Sequence, residues 1–240
     1  MISVATWNVW FGPYQFVPRA RALLAELERH RPDVIALQEV TPELLAIITR
    51  EPWLRDAYQL SDPAIDGYDV VLLSRQPIRA LSALPLPTQM GRRVLVAELA
   101  CGLAVATVHL ESLRDRAEWR ATQLQIIMPW LVETHADAVL VGDMNFAPED
   151  ELETAALHAE FVDVWPALHP GDPGFTIDSD INAMRLRASG VAAHRRLDRV
   201  FLRSQRWRAT AIERLGTAAI DDAGTFASDH FGLLVQLATD

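Results

Sequence analysis

Seven short stretches constrain this chain more than anything else in it: DVIALQEV, GYDVVLLSR, RRVLVAELA, GLAVATVHL, ADAVLVGDMN, RRLDRVFLR and FGLLVQLA. Each is nearly all apolar through its middle. A strand with one wet face alternates apolar and polar residues; a run without that alternation must bury both faces. The opening ISVATWNVW does alternate and reads as a further strand. Helical signals lie between these runs. Residues 18–30 carry Leu23, Leu24 and Leu27 with Pro18 near the start, and residues 41–50 open with Thr41-Pro42-Glu43. Residues 114–134 place apolar side chains at 117, 121, 124, 128 and 131, where Pro129 is expected to kink or end the helix. Helices alternate with strands early and strands dominate late. Strands buried on both faces then predict two packed sheets with helices outside, an α/β/β/α sandwich. With 240 residues, half of them hydrophobic, one domain over 1–240 has ample core.

The ends of these apolar runs carry the chemistry. The first strand ends near Asn8 and the second at Glu39. GLAVATVHL ends at His109, and ADAVLVGDMN ends at Asp143 and Asn145, two residues apart and so on one face. Asp198 stands near the start of its strand, and Ser228-Asp229-His230 precedes the last one. Any one of these has a bland reading as a turn residue, a helix cap or a satisfied core histidine. Together they are hard to explain so, because buried charges are costly unless paired or bound to metal. Carboxylate and carboxamide oxygens without a Cys/His cluster suit Mg²⁺ or Mn²⁺. A His–Asp pair adds charge stabilisation and proton transfer. These residue types predict metal-assisted hydrolysis of a phosphate ester.

Composition narrows the surroundings. The net charge of −10 argues against a protein that coats nucleic acid. Its distribution is uneven: Arg185, Arg187, Arg195, Arg196, Arg199, Arg203, Arg206 and Arg208 fall between 185 and 208, with Asp198 as the only acid, while 149–163 is acidic. The chain has no lysine. The single cysteine, Cys101, excludes an intrachain disulfide and fits a reducing compartment. The N-terminus reads as a strand and not as a signal peptide, and no apolar run is long enough for a membrane helix. The expectation is a cytoplasmic monomer with no membrane partner. Prolines 166, 170 and 173 mark a loop over 165–180 expected to rim the site, and Trp10 and Phe11 follow the Asn8 strand toward a substrate groove.

TWNVW, ALQEV, TVHLES, GDMN, RLDRVFL and SDH occur in the order seen in the endonuclease/exonuclease/phosphatase superfamily, which the chain resembles from residue 4 to 237. The resemblance implies the deoxyribonuclease I-like fold and in-line attack of water on phosphorus. It implies Glu39 as main metal ligand, Asn8 nearby on metal or phosphate, and Asp229 beside the metal. Asp143 would orient or deprotonate the water, and Asn145 would hold a phosphate oxygen. His230 would stabilise the transition state with Asp198 on its other nitrogen, His109 would donate to the phosphate, and Ser112 would assist. Trp10, Ile177 and Arg196 would contact substrate. Two features depart from the pattern: Ile177 stands where a tryptophan is usual, and Phe146-Ala147-Pro148 replaces an arginine after GD-x-N. The implied substrate is a nucleic-acid end, single-stranded DNA or a DNA 5′ end such as a 5′-tyrosyl adduct. The rival substrate is a small phosphorylated molecule, such as a lipid headgroup or sugar phosphate. A catalytically inactive binding module on the same fold is disfavoured by the complete polar set.

Overall fold

Side chains along a strand point alternately to its two faces, and in this protein the two sets enter different cores. The computed structural model describes residues 1–61 and 65–239. In chain order the elements are β1 (Ile2–Asn8), α1 (Phe16–His30), β2 (Val34–Val40), α2 (Pro42–Ile48), α3 (Pro52–Arg55), β3 (Gln59–Leu60), β4 (Asp69–Ser74), β5 (Ile78–Pro85), β6 (Arg93–Leu99), β7 (Ala104–His109), α4 (Ala117–Thr134), β8 (Ala138–Asp143), α5 (Glu151–Ala155), β9 (Val162–Asp163), α6 (Val164–Leu168), β10 (Ile177–Asp178), α7 (Met184–Ser189), β11 (His194–Arg195), β12 (Asp198–Arg203), β13 (Trp207–Leu215) and β14 (Gly232–Thr239). On β2, Val34 and Ala36 enter the core between the sheets, while Ile35 and Leu37 pack outward on α1 and α2. On β8, Val139 and Val141 face inward, while Ala138 and Leu140 pack on Leu124, Ile127, Met128 and Leu131 of α4. The layers are therefore helix, sheet, sheet, helix.

One six-stranded sheet has the order β13-β14-β1-β2-β4-β3 and the other β5-β6-β7-β8-β12-β9. A parallel pair sits inside each: β1 beside β2, and β7 beside β8. Parallel neighbours end together. Asn8 is level with Gln38, and His109 is level with Asp143. β12 runs antiparallel to β8 and begins opposite its end, so Asp198 is also level with Asp143. The two sheets bring these ends to one seam.

Two expectations need correction, and two strands carried no expectation at all. α4 continues through Pro129 to Thr134, so the proline does not end the helix. The carbonyl that proline leaves unpaired belongs to exposed Gln125, where water can take the missing bond. The stretch 165–180 does not rim the groove: residues 169–176 form a loop between α6 and β10, and residues 171–173 line another surface hollow. β5 and β13 carry no apolar run. They are edge strands with mostly exposed or mixed faces, and nothing in their sequence separates them from loops.

Among the described residues, a polar node interrupts the apolar core between the sheets directly below the seam. Gln38 is fully buried, and its Nε2 donates to Thr6 Oγ1 on β1 at 3.0 Å and to Thr107 Oγ1 on β7 at 3.1 Å. It ties the sheets together two residues short of Asn8 and His109. Leaving buried hydroxyls unpartnered costs about 1–3 kcal/mol, whereas replacing every partner by apolar groups is nearly neutral. Gln38→Leu should therefore lower urea-unfolding stability by about 1–3 kcal/mol, and adding Thr6→Val and Thr107→Val should recover most of it. An unchanged unfolding midpoint in the single variant would contradict this role.

Candidate active site

The central carboxylates are aimed by unusual backbone. Alternation along β2 would turn Glu39 toward the helices. A register shift between Leu37 and Val40, with Glu39 at φ +63°, re-aims it to the seam. Asn145 (φ +53°), Trp10 (φ +54°) and Leu113 (φ +74°) also have positive φ, so four of the six such non-glycine residues among the described residues line the groove. Gly142, just before Asp143, cannot be replaced: a Cβ there would lie 2.0 Å from the Val108 carbonyl oxygen.

Asn8 joins the two halves. Its Nδ2 donates to Glu39 Oε1 at 3.1 Å and to Asp143 Oδ2 at 2.9 Å, while its Oδ1 accepts from Trp10 N at 3.0 Å. One lone pair of its oxygen is thus engaged by the backbone, and its amide nitrogen aligns the two carboxylates. Phe11 N donates to Glu39 Oε2, and Asn145 N donates to Asp143 Oδ1. Asn145 Nδ2 donates to Leu110 O and lies 3.4 Å from Ser112 Oγ, which is itself 3.4 Å from His109 Nε2. His109 Nε2 is 3.5 Å from Asp143 Oδ2 and 4.0 Å from Glu39 Oε1.

The two histidines are set to opposite charge states. Burial holds His109 neutral, with a pKa of about 3; Asp143 resists this, while the Arg92 and His230 charges add to it. Burial alone would also push His230 down. Asp198, Asp143 and Asp229 outweigh it and raise His230 to about 10. His230 Nδ1 donates to Asp198 Oδ2 at 2.7 Å, and Thr176 Oγ1 accepts the backbone N–H of both Leu197 and Asp198 at 3.1 Å. Burial pushes the Glu39 carboxyl up, opposed by its hydrogen bond from Asn8 and by the His230 charge. Asp143 stays below the ordinary carboxylate range despite burial, chiefly because of His230.

This donor set fits a hard divalent cation. Ligand atoms of Asp143, Asp198 and His230 lie within 4.8 Å of one another, but Nδ1 of His230 is committed to Asp198 and its ring is cationic. Carboxylate oxygens remain. Glu39 and Asp229 face the groove beside Asp143, and Asp229 Oδ1 is buried without a hydrogen-bond partner among the described residues. Glu39, with Asp143 and Asp229 adjoining, would hold the ion.

Above the cluster opens a groove of about 940 Å³ whose lining includes Trp10, Phe11, Glu39, Ser112, Asp143, Asn145, Asp229 and His230. One wall is acidic, from Glu149 to Glu153. Two substrate-contact expectations fail. Ile177 is 1% exposed and packs with Ala147 and Leu197 in a small core. Arg196 is buried, with its Nη1 2.8 Å from both oxygens of Asp163. Side chains alternate, so Arg195 lines the groove while Arg196 turns the other way. His194 pairs with Asp178 and Asp180 away from the groove lining.

Several groups at the site carry no sequence motif. Arg92 is buried, donates to Ser112 Oγ at 2.9 Å and lies 5.2 Å from the Tyr68 ring centroid. Tyr68 in turn stacks near Phe11 at 4.8 Å. Arg19 is 1% exposed and donates to the carbonyls of Val9, Trp10, Gly12, Tyr14 and Ala227, with its guanidinium 4.4 Å from the Trp10 ring centroid. Only Arg19 left a readable signal, a charge on the same i, i+4 stripe as Leu23 and Leu27.

A two-sheet sandwich with carboxylates, a neutral and a cationic imidazole, and carboxamides at the strand-end seam defines a phosphoric-ester hydrolase of the metal-dependent kind. The chain belongs to the endonuclease/exonuclease/phosphatase family, whose sequence model matches residues 5–230. It is similar to Homo sapiens tyrosyl-DNA phosphodiesterase 2, 30% identical over 252 residues, covering 99% of this chain and 68% of that protein. The Bos taurus protein of the same name is 29% identical over 254 residues, covering 99% of this chain and 68% of that one. Among solved structures, D. rerio TDP2 complexed with single strand DNA product superposes with a TM-score of 0.88 at 26% identity, covering 99% of both chains. The human Nocturnin catalytic domain shares the fold, with a TM-score of 0.75 at 17% identity over 100% of this chain and 93% of that one.

The histidine charges have a kinetic consequence. His230 is cationic below its pKa of about 10, so kcat/KM should stay level through neutral pH and fall as pH rises toward that value. Asp198→Asn removes a carboxylate that holds the proton, so the fall should move to lower pH. A basic limb unmoved by that substitution would contradict the assignment.

Proposed function

We propose that this phosphoesterase is a Mg²⁺- or Mn²⁺-dependent phosphodiesterase that acts on a nucleic-acid 5′ end, such as a 5′-tyrosyl-DNA adduct. One observation carries the reading: Asn8 clamps Glu39 and Asp143 from opposite sheets beside cationic His230 on the floor of an open groove. The likeness to tyrosyl-DNA phosphodiesterase 2 over nearly the whole chain supports the substrate class. Phe11 on the groove wall, backed by Tyr68 and the Arg92 guanidinium beyond it, suits an aryl ester.

A divalent ion, when bound, polarises a phosphoryl oxygen and offsets its developing charge. The chain's residues do the rest. Asp143 orients a water and takes its proton, since its carboxylate stays ionised. His230 meets the charge that develops on the equatorial oxygens. Neutral His109 donates from Nε2, and Asn145 Nδ2 and Ser112 Oγ hold a non-bridging oxygen. The acidic wall at Glu149–Glu153 favours a second reading, a small phosphodiester with no long polyanionic chain.

The discriminating assay compares 5′-tyrosyl single-stranded DNA, abasic duplex DNA and bis-p-nitrophenyl phosphate with added Mg²⁺ or Mn²⁺, with Glu39→Ala as the blank. Preferred cleavage of the tyrosyl end, lost in Glu39→Ala, is expected. Cleavage of the small ester alone would move the substrate to the second reading. Within the same assay, Asp143→Asn should lower turnover by about 10²–10⁴, and His230→Ala should cost about 3 kcal/mol of transition-state stabilisation. A His230→Ala effect confined to KM would make it a binding residue only.

A further inference from the structure

Beside the groove lies a second cleft that hydrolysis itself leaves unused. It measures about 240 Å³ and is lined by Trp10, Tyr14, Met184, Arg187 and Ala188. Trp10 and Ala188 also line the groove, so the two spaces share a wall. The cleft is smaller than the roughly 300–1,000 Å³ of sites for drug-sized ligands, which limits it to about one ring system. Its aromatic walls are fixed in advance. Trp10 lies under the Arg19 guanidinium and packs against Met184, Phe226 and Phe231. The Tyr14 hydroxyl is 3.2 Å from Thr225 Oγ1. Rings already held in place lose little freedom when a ligand stacks on them.

α7 connects this cleft to the groove. Met184 and Ala188 face the cleft at i, i+4, while Arg185 and Ser189 line the groove. Of the other groove arginines, Arg120 is engaged with Glu153 and Arg195 with Glu149 and Asp150, while Arg114 lines the groove from the segment before α4 and does not share a helix with the cleft residues. Arg185 makes no ion pair among the described residues. A free guanidinium one turn from an aromatic cleft matches a phosphate next to a base. An acyl chain would need a longer apolar channel without Arg187 at its edge.

We propose that the cleft is a nucleobase subsite. It takes the base of the nucleotide whose 5′ phosphate is attacked, stacked against Trp10 and Tyr14, with Arg185 on the next phosphate of the strand. This rests on the phosphodiesterase reading above and narrows it to substrates carrying a base.

The test measures kcat/KM for p-nitrophenyl thymidine 5′-phosphate and for the same ester of abasic deoxyribose 5-phosphate. The proteins are wild type, Tyr14→Ala and Ala188→Leu, the last to fill the cleft from an exposed position, with thermal melts to confirm folding. The wild-type protein should prefer the thymidine ester by about ten-fold, mainly through KM, and both variants should bring that preference near unity. Equal use of the two esters by the wild type would overturn the subsite while leaving the phosphodiesterase reading intact. So would a base preference that survives both variants, or variants that slow both esters equally, which would give the cleft to the aryl group. Cleavage of bis-p-nitrophenyl phosphate but of neither ester would sink the nucleic-acid reading and the subsite with it.

Discussion

The contact on which the site depends is the double hydrogen bond from Asn8 Nδ2 to Glu39 on its own sheet and Asp143 on the other. Two carboxylates do not approach across a buried seam without compensation. A neutral amide donor bridges them, cationic His230 stands beside Asp143, and the excess of negative charge still calls for a cation. Everything around the seam serves this juxtaposition. Parallel pairs in both sheets finish at one level, the β2 bulge turns Glu39 inward, and Gly142 admits the Val108 carbonyl. Gln38 keeps the sheets in register beneath.

The arginine-rich stretch shows how charge in sequence differs from charge in space. Arg196 and Arg199 converge on Asp163, Arg203 reaches Glu160 and Arg206 reaches Asp137. Most of the run anchors the second sheet and its connections, not a polyanion. Of these arginines only Arg185 and Arg195 line the groove, and Arg195 is tied to the acidic wall. The groove therefore has a sided field, with one flank acidic and α7 offering free positive charge.

Much of the layering was legible because inner strands must be apolar on both faces, and that pattern survives any detail of packing. The strand-end residues Glu39, His109, Asp143, Asn145, Asp198 and His230 were legible for the same reason, since a charge closing an apolar run stands out. Edge strands β5 and β13 were not, because an exposed strand needs no hydrophobic signature. Arg196 misled because nearness in sequence to Asp198 says nothing of which face a side chain takes, and Ile177 misled because matching the position of a family tryptophan does not expose a smaller apolar side chain, which instead packs with Ala147 and Leu197. Arg92 and Tyr68 were invisible because they join the site only through tertiary contact from otherwise ordinary positions.

The central claim is that the seam is a cation site built around Glu39. The most direct measurement is thermal unfolding of wild type and Glu39→Gln, each with and without Mg²⁺. Mg²⁺ should raise the wild-type midpoint, because binding only the folded state stabilises it. Glu39→Gln should be at least as stable as wild type without the ion, having lost a buried charge, and should no longer respond to Mg²⁺. A wild-type midpoint that ignores Mg²⁺, or a Glu39→Gln protein that responds as fully as wild type, would contradict the account.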